Sequence, residues 1–187
     1  MTNLKAKAAS AVSMDILIVI DTEYIKQNFG VSKDKNHPVG ISHDHQYMLC
    51  TGSRGINGGQ GTGDLSFKAI VGDYVSFRGV SIYQNSDDAV IIYAISKFPN
   101  TTIDVFNQFN ANSLTRSKAV QPDPRSASHD GLPALNVSQS FLSLDTRVAS
   151  SGTENFMVTF ALYTLGDDGQ TQNLYGYYTW DPTITVS

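Results

Sequence analysis

Apolar residues along this chain fall into short runs and alternations that predict β-strands. Residues 15–20, Asp-Ile-Leu-Ile-Val-Ile, are almost wholly apolar and mostly β-branched, which is typical of a strand buried on both faces or at the centre of a sandwich. Between residues 155 and 165 the pattern alternates, so that Phe156, Val158, Phe160 and Leu162 share one apolar face. Both patterns favour a core built from sheets.

Turn-forming residues separate further strand candidates. Strands are predicted at residues 47–51, 65–71, 74–83, 89–98, 134–149 and 174–186. Because Gly72-Asp73 and residues 85–88 are of turn type, antiparallel hairpins are expected at both joints. Residues 104–133 contain three prolines and predict a long loop.

Helical patterning is confined to one short segment. Residues 22–29 predict a helix with Thr22 as its N-cap, and Gly30 would end it. No helical pattern separates the strands, which argues against βαβ units. The sequence therefore predicts an all-β antiparallel sandwich, jelly-roll-like, of about seven to nine strands with long loops and at most a short helix.

Composition limits the domain organisation and the function classes. The chain has 187 residues, enough for one domain, which we place at residues 14–187 after a flexible N-terminus at residues 1–13. Only 16% of residues are charged and the net charge is -4, which disfavours nucleic-acid binding. No apolar run is long enough to span a membrane, and residues 1–13 lack the apolar core of a signal peptide. We expect a cytoplasmic protein.

A glycine-rich segment at residues 52–63 is the first candidate for a binding site. Glycines let backbone N–H groups converge on a phosphate, but Asp64 stands where a phosphate loop needs Lys, and a strand follows where a helix is required. A hairpin or bulge is the favoured interpretation. Asn57, Gln60 and Asp64 remain candidate ligand-binding residues in or beside this loop.

Two groups of residues could hold a metal ion. His43 and His45 have the i, i+2 spacing that places both rings on one face of a strand, although a solvated loop without metal is the favoured interpretation. Asp87 and Asp88, with Asn85, could bind Ca²⁺ through clustered oxygens or could simply form a turn. Calcium is thus a possible cofactor, and no other cofactor is predicted.

Evidence for a carbohydrate site or for catalysis is weaker. Trp180 ends an aromatic segment that could stack on a sugar ring, although an aromatic strand in a sandwich core has the same sequence pattern. The only glutamates are Glu23 and Glu154, and no Gly-x-Ser-x-Gly motif occurs. We predict no catalytic residue and no enzyme, so a hydrolase is the least favoured function.

Five sequence blocks carry a resemblance to a known family. They begin at Ile16 (Ile-Leu-Ile-Val-Ile-Asp-Thr-Glu), Gly59 (Gly-Gln-Gly-Thr-Gly-Asp-Leu-Ser), Val71 (Val-Gly-Asp-Tyr-Val-Ser-Phe-Arg-Gly), Asp88 (Asp-Ala-Val-Ile-Ile-Tyr) and Tyr175 (Tyr-Gly-Tyr-Tyr-Thr-Trp-Asp-Pro). Together they resemble the AidA/PixA family of bacterial inclusion-body proteins over residues 14–186. The resemblance implies a Gram-negative protein under quorum-sensing or stationary-phase control, with members that accumulate as intracellular inclusions, and it implies no enzyme. The chain has four methionines, fewer than the methionine-rich PixA-type members, and so is more similar to the AidA branch.

Low charge and many strands together favour self-association, because charged side chains normally keep strand edges apart. The leading hypothesis is a non-enzymatic homo-oligomer that acts by self-association or ligand binding. The alternative is a carbohydrate-binding module, with or without Ca²⁺, that uses Asn57, Gln60, Asp64, Asn85, Asp87, Asp88 and Trp180.

Overall fold

The computed structural model describes residues 10–99 and 101–187, so most of the N-terminal segment predicted to be flexible lies outside the described residues. It shows a β-sandwich with one short helix, as the sequence predicts. The strands are β1 (Ser13–Ile20), β2 (Val39–Gly40), β3 (Gln46–Cys50), β4 (Ile56–Gly58), β5 (Leu65–Phe67), β6 (Tyr74–Ser81), β7 (Ala89–Lys97), β8 (Asn110–Gln121), β9 (Leu135–Arg147), β10 (Gly152–Leu165), β11 (Gln172–Trp180) and β12 (Thr183–Val186), and the helix is α1 (Thr22–Asn28).

Both sheets of the sandwich are mixed. Sheet 1 has the order β3-β1-β6-β9-β8, and sheet 2 has the order β2-β11-β10-β12-β5-β4, with β7 on the other edge of β10. Three pairs, β1 with β6, β5 with β12 and β2 with β11, are parallel. The expectation of antiparallel pairing therefore holds for most pairs but not for these three, which join strands distant in sequence.

Strand β10 organises the core from sheet 2. Its apolar alternation buries Phe156, Val158, Phe160 and Leu162, as the sequence predicts. One edge of β10 pairs with β12 and then β11, while the other edge pairs with β7. Since three strands depend on this one, the alternation fixes both the register of sheet 2 and the side that faces sheet 1.

Strand β1 lies in the interior of sheet 1 and buries one face only. Met14, Ile16, Ile18 and Ile20 are fully enclosed, whereas Leu17 is 37% exposed. The continuous apolar run thus marks a central strand, but its second face is open to solvent rather than covered.

Two predicted hairpins are wrong. Strand β5 belongs to sheet 2 and β6 to sheet 1, while β7 pairs with β10, so the turns at residues 72–73 and 85–88 connect the sheets instead of neighbouring strands. The long loop predicted at residues 104–133 is also wrong, because β8 occupies Asn110–Gln121. Strand β8 is polar and exposed along most of its length, so it lacks the apolar alternation that reveals a strand.

The short helix is confirmed, with a different cap. Asp21 rather than Thr22 is the N-cap, and its carboxylate accepts a hydrogen bond from the backbone N–H of Tyr24 at 3.1 Å. Thr22 is instead the first helical residue and is buried. Over residues 10–99 and 101–187, no helix has both the length and the apolar character needed to cross a bilayer.

A buried carboxylate secures the start of β1. The Asp73 side chain is fully buried and accepts hydrogen bonds from Arg54 Nε at 2.5 Å and from the backbone N–H groups of Val12 and Ile70, each at 2.9 Å. The Arg54 guanidinium and these N–H groups lower the pKa of Asp73 to about 2, although burial opposes the shift. Asp73 therefore ties the segment before β1 to the loop before β6.

The hydrogen bonds that Asp73 accepts make the stability of the folded chain depend on pH. Because the pKa of Asp73 is lower in the folded chain than its ordinary 3.8, its stabilisation is fully present above pH 4 and is lost as the pH falls towards 2. The difference between the two pKa values corresponds to about 2 kcal/mol in the free energy of unfolding. Urea unfolding of Asp73→Asn between pH 2 and 6 should show a correspondingly weaker loss of stability with acid. The exposed Asp44→Asn is the control, and an Asp73→Asn curve parallel to wild type would contradict the assignment.

Candidate functional site

The N-terminal end of α1 and the loop before β3 form one corner of the sandwich. His45 places Nδ1 3.0 Å from Asp21 Oδ2 and stacks on Tyr24 with ring centroids 3.7 Å apart. The backbone N–H of Asp21 also donates to the His45 carbonyl at 3.0 Å. The ring of His45 is thus held by a carboxylate on one side and an aromatic face on the other.

His43 lies between two carboxylates at the same corner. Its Nε2 is 3.5 Å from Asp64 Oδ1, and its Nδ1 is 3.4 Å from Asp181 Oδ1. Gly63 packs so closely that an added Cβ would lie 2.6 Å from the His43 carbonyl oxygen. Three of the five resemblance blocks, those that contain Asp21, Asp64 and Asp181, therefore meet around residues 41–46.

We call the side chains of Asp21, His43, His45, Asp64 and Asp181 the acid–histidine corner. The two histidines have separate carboxylate partners. Asp181 was not among the residues predicted from the sequence, although it lies in the block that begins at Tyr175. Among residues 10–99 and 101–187, no group of three or more His, Cys, Asp or Glu side chains is arranged to hold a metal. The corner offers hydrogen bonds and charge to a polar ligand.

The predicted calcium residues have structural contacts. The Asp88 side chain is 4% exposed, and its Oδ2 lies 2.8 Å from Lys26 Nζ. Burial alone would raise the pKa of Asp88, but Lys26 and the hydroxyls of Thr22 and Thr164 outweigh it, so that the pKa lies below its ordinary value. Asp88 therefore remains ionised and paired at neutral pH.

The neighbouring turn is held by amides. Asn85 Oδ1 accepts from the backbone N–H groups of Ser81 at 2.9 Å and Val90 at 3.0 Å. Gln172 Nε2 donates to the Asp87 carbonyl at 3.1 Å. These hydrogen bonds hold residues 85–88 in a turn, which is one of the two interpretations that the sequence allows for this segment.

The glycine-rich segment forms a bulged strand pair, in agreement with the favoured interpretation. Strand β4 pairs with β5 with a shift of register between Ile56 and Gly58. Gln60 bridges to Cys50, accepting from its N–H at 2.8 Å and donating to its carbonyl at 2.7 Å. Asn57 donates to Ser187 Oγ at 2.9 Å.

The remaining sequence candidates lie inside the sandwich or in ion pairs. Trp180 is 1% exposed and packs in the core, which is the alternative that the sequence left open for it. Glu154 is buried, accepts from the Val105 N–H at 2.7 Å, and has a pKa raised by desolvation. Glu23 lies 2.7 Å from Lys26 Nζ. Each side chain thus has a structural partner or a place in the core.

A groove of about 490 Å³ is a further feature of the surface, and the sequence does not predict it. It opens where β9 separates from β6, and its walls come from β1, β6, β7, β8 and β9. Leu17, Gly79, Ile91 and Phe141 are among its lining residues. These residues are far apart in sequence and share no motif, so only the sheet order brings them together.

Comparisons with known proteins agree with the fold. A family model described as PixA, inclusion body protein, matches residues 12–186. The crystal structure of an inclusion body protein (PixA) from Burkholderia cenocepacia J2315 is 31% identical, superposes with a TM-score of 0.80, and aligns over 100% of both chains. A structure of PbICP-C in complex with falcipain-2 aligns over 85% of this chain and 96% of its own at 8% identity and a TM-score of 0.24. No curated protein matches significantly.

Lys26 provides a test of which contacts at α1 are essential, because it pairs with one buried and one exposed carboxylate. The Glu23 side chain is 46% exposed, whereas that of Asp88 is 4% exposed. Asp88→Asn should lower the free energy of unfolding by about 2–3 kcal/mol, since it removes the buried carboxylate and leaves Lys26 with only the exposed Glu23 as its partner. Glu23→Gln should cost no more than about 0.5 kcal/mol. Urea denaturation at pH 7 measures both, and equal losses would refute the distinction.

Proposed function

We propose that this chain, which belongs to the PixA inclusion body protein family, is a non-enzymatic cytoplasmic protein that acts by self-association of folded subunits. The proposal extends the family description, which refers to inclusion bodies and to no reaction. The proposal also places the chain in the AidA branch of the family, because the chain has only four methionines. Production under quorum-sensing or stationary-phase control belongs to the same proposal.

The observation that carries self-association is the open face of sheet 1. Leu17 on β1 and Leu49 on β3 are directly paired in register, so their side chains lie next to each other. They are 37% and 46% exposed, respectively. Contiguous exposed apolar side chains favour contact with another protein, and the Arg78–Asp15 ion pair borders these two leucines.

Composition supports the same proposal. Charged residues make up 16% of the chain, against roughly 25% in ordinary globular domains. Fewer charged side chains leave weaker repulsion between copies and a smaller desolvation cost on contact. An apolar face on a weakly charged protein therefore favours association of like subunits.

Sedimentation velocity tests this function. At neutral pH and micromolar concentrations, the weight-average sedimentation coefficient should rise with protein concentration above the value for a monomer. Leu49→Lys should reduce that rise, because it places a charge in the apolar face. Val71→Lys is the matched control, since Val71 is 69% exposed away from this pair. A monomer across the whole range would remove self-association as the function.

A second candidate, carbohydrate binding, is favoured by a polar ladder beside the acid–histidine corner. Hydroxyls and amides pair between β10 and β12, Thr153 with Thr185 at 2.8 Å and Thr183 with Asn155 at 3.0 Å. Beyond β5, Asn57 of β4 donates to Ser187 Oγ, just after β12, at 2.9 Å. Asp64 accepts from the Thr183 N–H at 2.7 Å. Uncharged hydroxyl and amide groups suit neutral sugars. The proposal keeps calcium as a cofactor at the exposed Asp87, since Asp88 is buried and paired with Lys26.

A glycan array with and without EDTA tests the carbohydrate candidate. Glycan binding that persists in EDTA would indicate calcium-independent binding by the polar ladder, and Asn57→Ala should then weaken that binding. Binding lost with EDTA and restored by Ca²⁺ would instead point to a calcium site, and Asp87→Asn should weaken it. No binding in either condition would eliminate this candidate.

A further inference from the structure

The β8–β9 ribbon, defined as residues 110–121 and 135–143, projects from the sandwich. Strand β9 pairs with β6 only from Arg147 to Leu144, and among the described residues its remaining nine residues pair with β8 alone. Nine residues of strand span about 30 Å. Two-stranded ribbons are marginally stable in water, so a long one benefits from contact with another surface.

The groove at the base of this ribbon exposes strand edges on both sides. Continued two residues beyond Phe77 and Leu144, the β6–β9 register would place Gly79 opposite Leu142, but that pair is not formed. Both residues line the groove. Because the ladder directs the N–H and C=O of Gly79 away from β1, these groups face the groove and can bond to an added strand.

Apolar side chains flank these backbone groups. Phe141 lines the groove and is 39% exposed, and Leu114, its register partner outside the lining, is 38% exposed. Ile91, on the β7 wall of the groove, is 45% exposed. A segment that fits here must therefore combine an extended backbone edge with apolar side chains.

The β8–β9 ribbon has both an extended backbone edge and apolar side chains. Strand β8 ends sheet 1, so its outer edge has no strand partner among the described residues. Arg116 and Lys118 are the only charged residues of the ribbon, which gives it +2 in a chain of net charge -4 and leaves -6 on the rest. This difference in net charge favours the approach of one ribbon to the body of another copy, and Arg78, the one charged residue among those that line the groove, is neutralised there by its ion pair with Asp15.

We infer that the ribbon of one copy docks into the groove of a second copy and that the second ribbon docks reciprocally, which gives a two-fold symmetric dimer. The β8 edge pairs with the Gly79 side of the groove, and Leu114 packs near Ile91 of the partner. A projecting element and its receptor on one chain satisfy the self-complementarity that a two-fold interface requires. This inference rests on the proposed self-association and specifies its surface.

Disulfide trapping tests this arrangement between copies. Leu114→Cys protein is mixed with Ile91→Cys protein and oxidised with copper-phenanthroline, and the products are identified by mass spectrometry. The mixed disulfide dimer should be the main product. Burial raises the pKa of the Cys50 thiol, so the wild-type protein serves as the uncrosslinked background. Val71→Cys mixed with Leu114→Cys is the control for random collision.

A second variant keeps the test independent of thiol geometry. Ile91→Glu should raise the dimer dissociation constant at least about tenfold in sedimentation, while Val71→Glu should leave it unchanged. Association that persists with no mixed disulfide and no effect of Ile91→Glu would overturn the ribbon interface and leave self-association standing. A monomer at all concentrations would overturn both.

Discussion

The apolar alternation of β10 is the constraint on which the rest of the molecule depends. One strand offers Phe156, Val158, Phe160 and Leu162 to the core while its two edges support β7, β11 and β12. A slip of one residue would turn this apolar set outward and break three pairings together. The link between β11 and β12 also places Asp181 in the acid–histidine corner.

The two sheets differ in the side chains that their outer faces expose. Beside β12, sheet 2 presents hydroxyl and amide pairs, and the loop before β2 bonds to β11 through the Ser32 carbonyl. Sheet 1 instead leaves Leu17 and Leu49 open and lets β9 diverge from β6. The polar face suits a small hydrated ligand and the apolar face suits a protein, so the two candidate functions belong to different sides of the molecule.

The sequence predicted the fold where periodicity reflects burial. The runs in β1 and β10 and the helix α1 were found because their buried side chains repeat with a strand or helix period. Strand β8 was missed because its side chains face solvent, and the hairpins at residues 72–73 and 85–88 were wrong because turn chemistry does not reveal which sheet the next strand joins. Asp181 was within reach of sequence reasoning, whereas the groove depends on long-range sheet order.

The pairing order also has a kinetic consequence. Strand β1 pairs with β6, and β5 pairs with β12, so each parallel ladder joins segments that are separated by many residues. Chains with such non-local contacts fold slowly and expose unpaired edges while they do so. A deposit of such a chain would therefore consist either of trapped folding intermediates or of finished subunits, and resistance of the deposited chains to protease would separate native subunits from misfolded ones.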